Sequence, residues 1–413
     1  MIMDNILKKI PSMLFGNELK NELAYFPYVD RKEIVTKSQG ERLIMLNELY
    51  SFYYPTKYTV EIYTKIYLAL VRALQKKQSK LVVRQQYNNF FALHKKGELN
   101  GIIGGADSFS VIGASGVGKT SAINKVIEVV SNNQIIETDI PKTSIIPIML
   151  VQTPYDASVK SLLIEILRNV DEKIGTKYYE FALRKNLTID SLVGQVSNVA
   201  LNHLGVLVLD EVQNCIHAKK GDYLIRCLTQ LINSSGISIC LSGTPEAISF
   251  LEREFQIARR TLGLSVKPFE YDDAFFSFCN RLFNYQYTLN YVEFNEVFAE
   301  WLYNHSLGNA SVVISLFHDS QELSIMDGSE KISIANLENA FKKRLTLLNR
   351  FIETKTKTVG KLSKKEESSD SGAFLAQIEH NQIRCAVEQS KGDEKLLFNL
   401  LCKLKITIEE VKI

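Results

Sequence analysis

The sequence predicts an α/β fold: a parallel sheet with flanking helices, preceded by a helical N-terminal region and followed by an all-helical lid. Three observations carry this expectation. Short β-rich runs alternate with helical segments in the middle of the chain, a glycine-rich turn closes the first of those runs, and strands stop after about Tyr271. The expected bounds are 1–95 for the N-terminal helices, 96–270 for the α/β domain, 271–353 for the lid, and 354–413 for a flexible linker and helical tail.

In chain order, Leu43, Leu46, Leu49 and Tyr50 recur at helical spacing from Gly40 onward. Pro55 then interrupts, and Ile62, Ile66, Leu70, Val71 and Leu74 mark a second amphipathic helix ending in Lys76-Lys77. Nine of the 18 tyrosines fall within the first hundred residues. They read as half-buried packing residues, with a partner-binding surface as the alternative. Strands are expected at Ser108 to Ile112, Ile145 to Val151, Val206 to Leu209 and Ile237 to Leu241, and helices at Ser121 to Val130 and Val159 to Val170. The run Val206 to Leu209 is entirely apolar, as a strand covered on both faces requires. Beyond it, Ala274 to Phe283, Val292 to His305, Ala310 to Phe317 and Ile334 to Phe351 read as aromatic-rich helices. Between Lys342 and Lys365 nine basic residues face one acid, Glu353, and the stretch Thr354 to Gly372 is too poor in apolar residues to build a core. Phe374 to Leu404 then carries apolar positions at helical spacing, the pattern of a docking element on a tether.

Composition narrows the class. Hydrophobic residues make up 46% of the 413 and charged ones 23%, enough for a globular core of more than one unit. The balance of 49 basic to 46 acidic residues leaves any DNA contact to local arrangements of charge. Six cysteines include no Cys-x-x-Cys, and the pair Cys215 and His217 falls short of four zinc ligands. The longest apolar runs are too short to span a bilayer and the start lacks a signal-peptide pattern, so the expectation is a cytoplasmic protein with no membrane partner.

Gly113-Ala114-Ser115-Gly116-Val117-Gly118-Lys119-Thr120 fits the phosphate-loop pattern between a strand and a helix that continues with Ser121. Glycines let backbone N–H groups curl around phosphates, and a helix N-terminus favours the anion. Lys119 is placed to reach the β- and γ-phosphates of ATP, and the Thr120 hydroxyl to ligate Mg²⁺. The second half is Val206-Leu-Val-Leu209-Asp210-Glu211, a buried strand presenting two acids at its C-terminal end. Asp210 is expected to hold Mg²⁺ and Glu211 to orient the attacking water. Ser242 and Thr244 are candidates to sense the γ-phosphate, with a plain turn role as the alternative. Arg259 and Arg260 end a helix and are candidate arginine fingers acting on a neighbour's ATP, the alternative being a solvated helix end.

The order of P-loop, Leu209-Asp-Glu-Val-Gln-Asn214, Leu241-Ser-Gly-Thr-Pro-Glu246 and Ala258-Arg259-Arg260, with a helical lid after it, is similar to that of an AAA+ ATPase. Within that class, the chain resembles the transposition-regulator ATPases of bacterial cut-and-paste transposons, the TnsC/TniB family, over roughly residues 30 to 350; Gly40-Glu-Arg-Leu43 and Tyr53-Tyr54-Pro55 are similar to the family's helical leader. The resemblance implies an ATPase that assembles as a ring or helical filament on double-stranded DNA without sequence preference and links a target-selection protein to the transposase. It further implies pore-facing DNA contacts at Lys160, Thr176 and Lys177. One departure is that Ser306 to Val312 offers no arginine to the γ-phosphate, which implies slow hydrolysis dependent on the neighbour. The competing readings are a replication-initiator or helicase-loader ATPase, a nucleotide-switched scaffold with negligible turnover, and a signalling or defence NTPase.

Overall fold

The computed structural model describes residues 6–77, 108–132, 134–139, 142–155, 158–185, 187–215, 221–248 and 262–344. Residues 1–339 form one compact unit. Residues 340–413 form a second, of which only the first five are described. The linker and tail expected over 354–413 lie outside the described residues.

Among the described residues four α-helices precede the sheet: α1 (Gly16–Leu23), α2 (Arg31–Thr36), α3 (Gln39–Met45) and α4 (Lys57–Lys77). The periodic run from Gly40 is broken in two. After Met45 the chain tightens into a 3₁₀ segment, Leu46–Ser51, which buries Leu46 and Leu49. Ser38 and Glu41 form a capping box that fixes where α3 starts.

The described residues form six strands, β1 (Phe109–Gly113), β2 (Ile136–Asp139), β3 (Lys142–Gln152), β4 (Leu204–Asp210), β5 (Ser238–Gly243) and β6 (Leu262–Val266). Their order is β2-β3-β4-β5-β1-β6, and every neighbouring pair is parallel except β2 with β3. β2 and β6 occupy the two edges and escaped the sequence reading. β6 alternates Gly263 and Ser265 with apolar residues, and β2 is only four residues long.

Connecting helices cover both faces. α5 (Lys119–Ser131) and α4 pack on one side with Val206, Val208 and Val111. α6 (Val159–Ile174), α8 (Ile189–His203) and α9 (Gly221–Ser235) pack on the other with Leu207, Leu209 and Ile239. Alternate residues of β4 therefore feed opposite cores, as a pleated strand dictates. Helix α4, assigned by sequence to the N-terminal region, is part of the sheet's own core. At Gly205 a side chain would collide with Pro147 O and stand 2.7 Å from Leu70 Cδ1, which is how closely α4 approaches.

After β6 come α10 (Asp273–Phe283), α11 (Glu296–Ser306), α12 (Ala310–Asp327) and α13 (Ile334–Arg344), the predicted helical lid. α11 begins four residues later than the sequence pattern suggested because Asn295 caps it, accepting from the Phe298 amide. The N-terminal helices grip this lid through two arginines. Arg31 donates to the carbonyls of Gln286, Thr288 and Leu289, while Arg42 donates to Tyr287 O and both carboxylate oxygens of Glu330.

Candidate functional site

The site forms where β1, β4 and β5 end on the same edge of the sheet. β1 stops at Gly113, and a five-residue turn leads into α5. Gly116 and Gly118 adopt φ of +79° and +91°, which curls the turn and which residues with a side chain rarely accept. Lys119, buried at the start of α5, donates from Nζ to the Gly113 carbonyl at 2.8 Å and the Ala114 carbonyl at 2.9 Å. Burial pulls its ammonium below the usual lysine range, and the charges of Glu211 and Asp210 oppose that shift.

Asp210 ends β4 and is 1% exposed. Its Oδ2 accepts from Thr120 Oγ1 at 2.6 Å and its Oδ1 from the Glu211 amide at 3.0 Å, so the carboxylate is fixed from both sides. The two residues expected to share a metal, 90 positions apart in sequence, are thus in direct contact. Hard oxygen donors of this kind suit Mg²⁺, and together with the glycine cradle and Lys119 they fit a magnesium–triphosphate group.

Glu211 follows at φ +57°, an uncommon left-handed conformation for a residue with a side chain. Its carboxylate accepts from Gln213 Nε2, and Gln213 Oε1 accepts from the Thr244 amide at 3.1 Å. β5 lies between β1 and β4, with Ser242 opposite Val111 of β1 and Leu241 opposite Leu209 of β4. This places Ser242 beside Asp210 rather than on a distant strand. Its hydroxyl is buried and has no hydrogen-bond partner among the described residues, and the same holds for Thr153 Oγ1 at the end of β3. The Thr244 hydroxyl donates to Glu246 at 3.3 Å.

Three contributors to the site were not assigned to it from the sequence. The lid reaches the phosphate turn through Asn309, which caps α12 and donates from Nδ2 to Ser115 O at 2.9 Å; the Ser311 amide donates to Gly116 O at 3.3 Å. A side chain at Gly116 would stand 2.6 Å from Ser311 Oγ. Beside the turn lies a cavity of about 190 Å³ lined by Tyr53, Tyr54 and Tyr58 of the N-terminal corner, Val117 and Ser121, and Ala310 and Ile314 of α12. The tyrosines read as packing residues therefore wall a pocket next to the phosphate turn. Burial, partly offset by a hydrogen bond to Thr59, pushes the Tyr53 hydroxyl well above its usual range, so it stays neutral. The third contributor is Gln213.

The candidate DNA contacts are dispersed. Lys160 lies in the first turn of α6, whereas the exposed Lys177 lies beyond its C-terminal end. Fourteen helical residues lie between the two sites, about 21 Å of helix. The Thr176 hydroxyl donates to Asp171 Oδ1 at 2.6 Å, and Asp171 also accepts from the amides of Tyr178 and Tyr179. Thr176 thus helps fix the turn into α7 (Tyr178–Arg184). Arg259 and Arg260 lie outside the described residues. Among the described residues no helix is long and apolar enough to cross a membrane.

Residues 104–271 match the family model described as bacterial TniB protein. No curated protein matches the chain. Among solved structures, the chain is similar to a chain of Drosophila ORC bound to DNA, at 12% identity and a TM-score of 0.48, covering 97% of this chain and 85% of that one. It is also similar to the Aeropyrum pernix ORC1 protein in complex with DNA, at 12% identity and a TM-score of 0.42, covering 81% and 80%. A third likeness is to Cdc6p from Pyrobaculum aerophilum, at 12% identity and a TM-score of 0.40, covering 63% and 66%.

Proposed function

We propose, from a TniB-family segment at residues 104–271 that contains the whole phosphate turn and both acids, that this AAA+ protein is an ATP-hydrolysing regulator of transposition that assembles on double-stranded DNA. The observation that carries the ATPase reading is the 2.6 Å hydrogen bond between Thr120 and Asp210, which joins the two halves of the site at one point.

In this reading the amides of residues 114 to 120 and the Lys119 ammonium hold the triphosphate. Thr120 and Asp210 hold Mg²⁺, which when bound neutralises charge on the phosphates. Glu211 aims a water at the γ-phosphate, while Ser242, on the strand between the phosphate turn and the acids, and Thr244, just past its end, sense that phosphate. The aromatic pocket of Tyr53, Tyr54 and Tyr58 takes the nucleobase by stacking. Arg259 and Arg260 of a neighbouring copy supply the fingers, and Lys160 and Lys177 contact DNA phosphates. The links to a target-selection protein and a transposase follow from the family resemblance.

The test is phosphate release by the full chain with and without duplex DNA, alongside electron microscopy with a nonhydrolysable ATP analogue. Turnover stimulated by DNA, and rings or filaments seen only when nucleotide and DNA are both present, is the expected result. Nucleotide binding without turnover or assembly would replace this reading with that of a nucleotide-switched scaffold.

A further inference from the structure

We infer that Gln213 is a positioning residue for hydrolysis: its side-chain amide ties the Glu211 carboxylate to the end of β5, so that Glu211 is aimed only while Thr244 is in place. The inference rests on the reading of Glu211 as the group that orients the attacking water.

Gln213 sits in the 3₁₀ turn Val212–Cys215 that directly follows Glu211. Its amide bridges two strand ends, donating to Glu211 Oε2 and accepting from the Thr244 N–H at 3.1 Å. Only one orientation of the amide satisfies both ends. A carboxylate accepts and never donates, a backbone N–H donates and never accepts, and a flipped amide would be repelled at both contacts.

The surrounding backbone is shaped to seat this bridge. A Cβ on Gly243 would stand 2.8 Å from Gln213 Oε1 and 2.8 Å from Val212 Cγ2, so the residue before Thr244 has no side chain where the amide docks. Glu211 holds φ +57°, a cost accepted where surrounding contacts dictate the conformation. Asn214 fastens the same turn on the other side, donating from Nδ2 to Thr153 O at 3.1 Å, while its amide donates to Glu211 O at 3.0 Å. Adjacent residues of one turn thus secure the end of β4 to both of its neighbours, β5 through Gln213 and β3 through Asn214.

The chemical consequence concerns aim. A free glutamate side chain samples several rotamers, few of which direct an oxygen at a given water. The amide removes that freedom yet occupies only one of the carboxylate's acceptor positions, leaving Oε1 able to accept from a water. A shift of Thr244 on engaging phosphate is then transmitted through the amide to Glu211.

The experiment measures kcat, KM and nucleotide-analogue affinity for the full chain with duplex DNA. Gln213→Met keeps the length of the side chain and removes both hydrogen bonds. It should lower kcat about tenfold or more while KM and analogue affinity stay within about twofold. Gln213→Glu keeps the acceptor for Thr244 but sets a second carboxylate against Glu211, and should lower kcat further. Parental kcat in Gln213→Met, or Gln213→Glu no worse than Gln213→Met, would overturn the inference. So would a joint fall in melting temperature and nucleotide affinity in both variants, which marks a purely structural residue. If Glu211→Gln itself hydrolyses ATP at the parental rate, the reading of Glu211 fails and takes this inference with it; a dead Glu211→Gln beside a fully active Gln213→Met would refute the role of Gln213 alone.

Discussion

Arg42 and Glu330 meet in a bidentate ion pair with both N–O distances at 2.6 Å, although 288 residues separate them in the chain. The guanidinium is 3% exposed and the carboxylate 14%, and Arg42 also donates to the Tyr287 carbonyl at 3.1 Å. The N-terminal helices and the lid are thereby held as one piece.

Removing Arg42 leaves Glu330 without its charge partner in a poorly hydrated position, so Arg42→Ala should lower the unfolding free energy by about 3 kcal/mol. The hydrogen bonds from Arg42 hold the Glu330 carboxyl below its ordinary range. A depressed carboxylate contributes stability that is present above the unfolded pKa and lost as pH falls through the folded one. The stability difference between the parent and Glu330→Gln should therefore be full at pH 7 and shrink below about pH 4.5, as read by thermal unfolding across that range.

Lys119→Ala and Glu211→Gln should separate binding from turnover. Loss of a charge-assisted contact to phosphate should weaken ATP binding roughly 10- to 100-fold in the first. The second should keep ATP and accumulate the assembled state. Equal loss of affinity in both, measured with a fluorescent ATP analogue, would contradict the division of roles.

Ile314 lines the aromatic cavity beside Val117. Ile314→Trp should fill that space and weaken ATP by about tenfold, while inorganic triphosphate, which has no base to place, binds as in the parent. Calorimetric titration of both ligands distinguishes a base pocket from an unrelated void.

Asn309 has two jobs that one substitution can split. Its Oδ1 accepts from the Ser311 amide and caps α12, and its Nδ2 donates to Ser115 O. Asn309→Ala should cost about 1 kcal/mol of stability through the lost cap. Asn309→Asp keeps the cap but loses the donor and turns a negative charge toward the phosphate turn. Its melting temperature should stay near the parent's while nucleotide affinity falls.

For DNA, Lys160→Ala and Lys177→Ala should each flatten the salt dependence of binding by about one unit, on any duplex sequence. Because a helix length separates the two positions, the effects should add in the double variant. A salt slope unchanged in both would remove these lysines from the interface.

What the sequence disclosed follows from how local each signal is. The phosphate turn and the acids at the end of β4 are contiguous strings whose chemistry fixes residue type at each place, and α4 has an unbroken apolar stripe. Ser306 to Val312 contains no arginine, yet a neutral amide at Asn309 reaches the phosphate turn. That contact depends on how α12 is seated, which periodicity does not encode. Tyr53, Tyr54 and Tyr58 join the cavity only because the chain returns to the P-loop after a long excursion. Gln213 was visible only as one letter of a family resemblance, since a glutamine has no titration or motif to mark it. The edge strands β2 and β6 lacked the apolar run that disclosed the central ones.

The closeness of α4 to Gly205 bears on how the polypeptide matures. The family-matched segment begins at residue 104, yet the face of its sheet bearing Val111, Val206 and Val208 is sealed by Ile62, Ile66 and Leu70, all made earlier. During synthesis α4 leaves the ribosome ahead of the sheet, and its apolar stripe meets β1 and α5 before β4, more than a hundred residues later, completes the surface it covers. A protein begun at residue 104 would emerge with that face of the sheet covered by α5 but not by α4, and its remaining apolar surface would be prone to self-association. Supplied as a separate peptide spanning Lys57–Lys77, the helix should return such a shortened protein to solution.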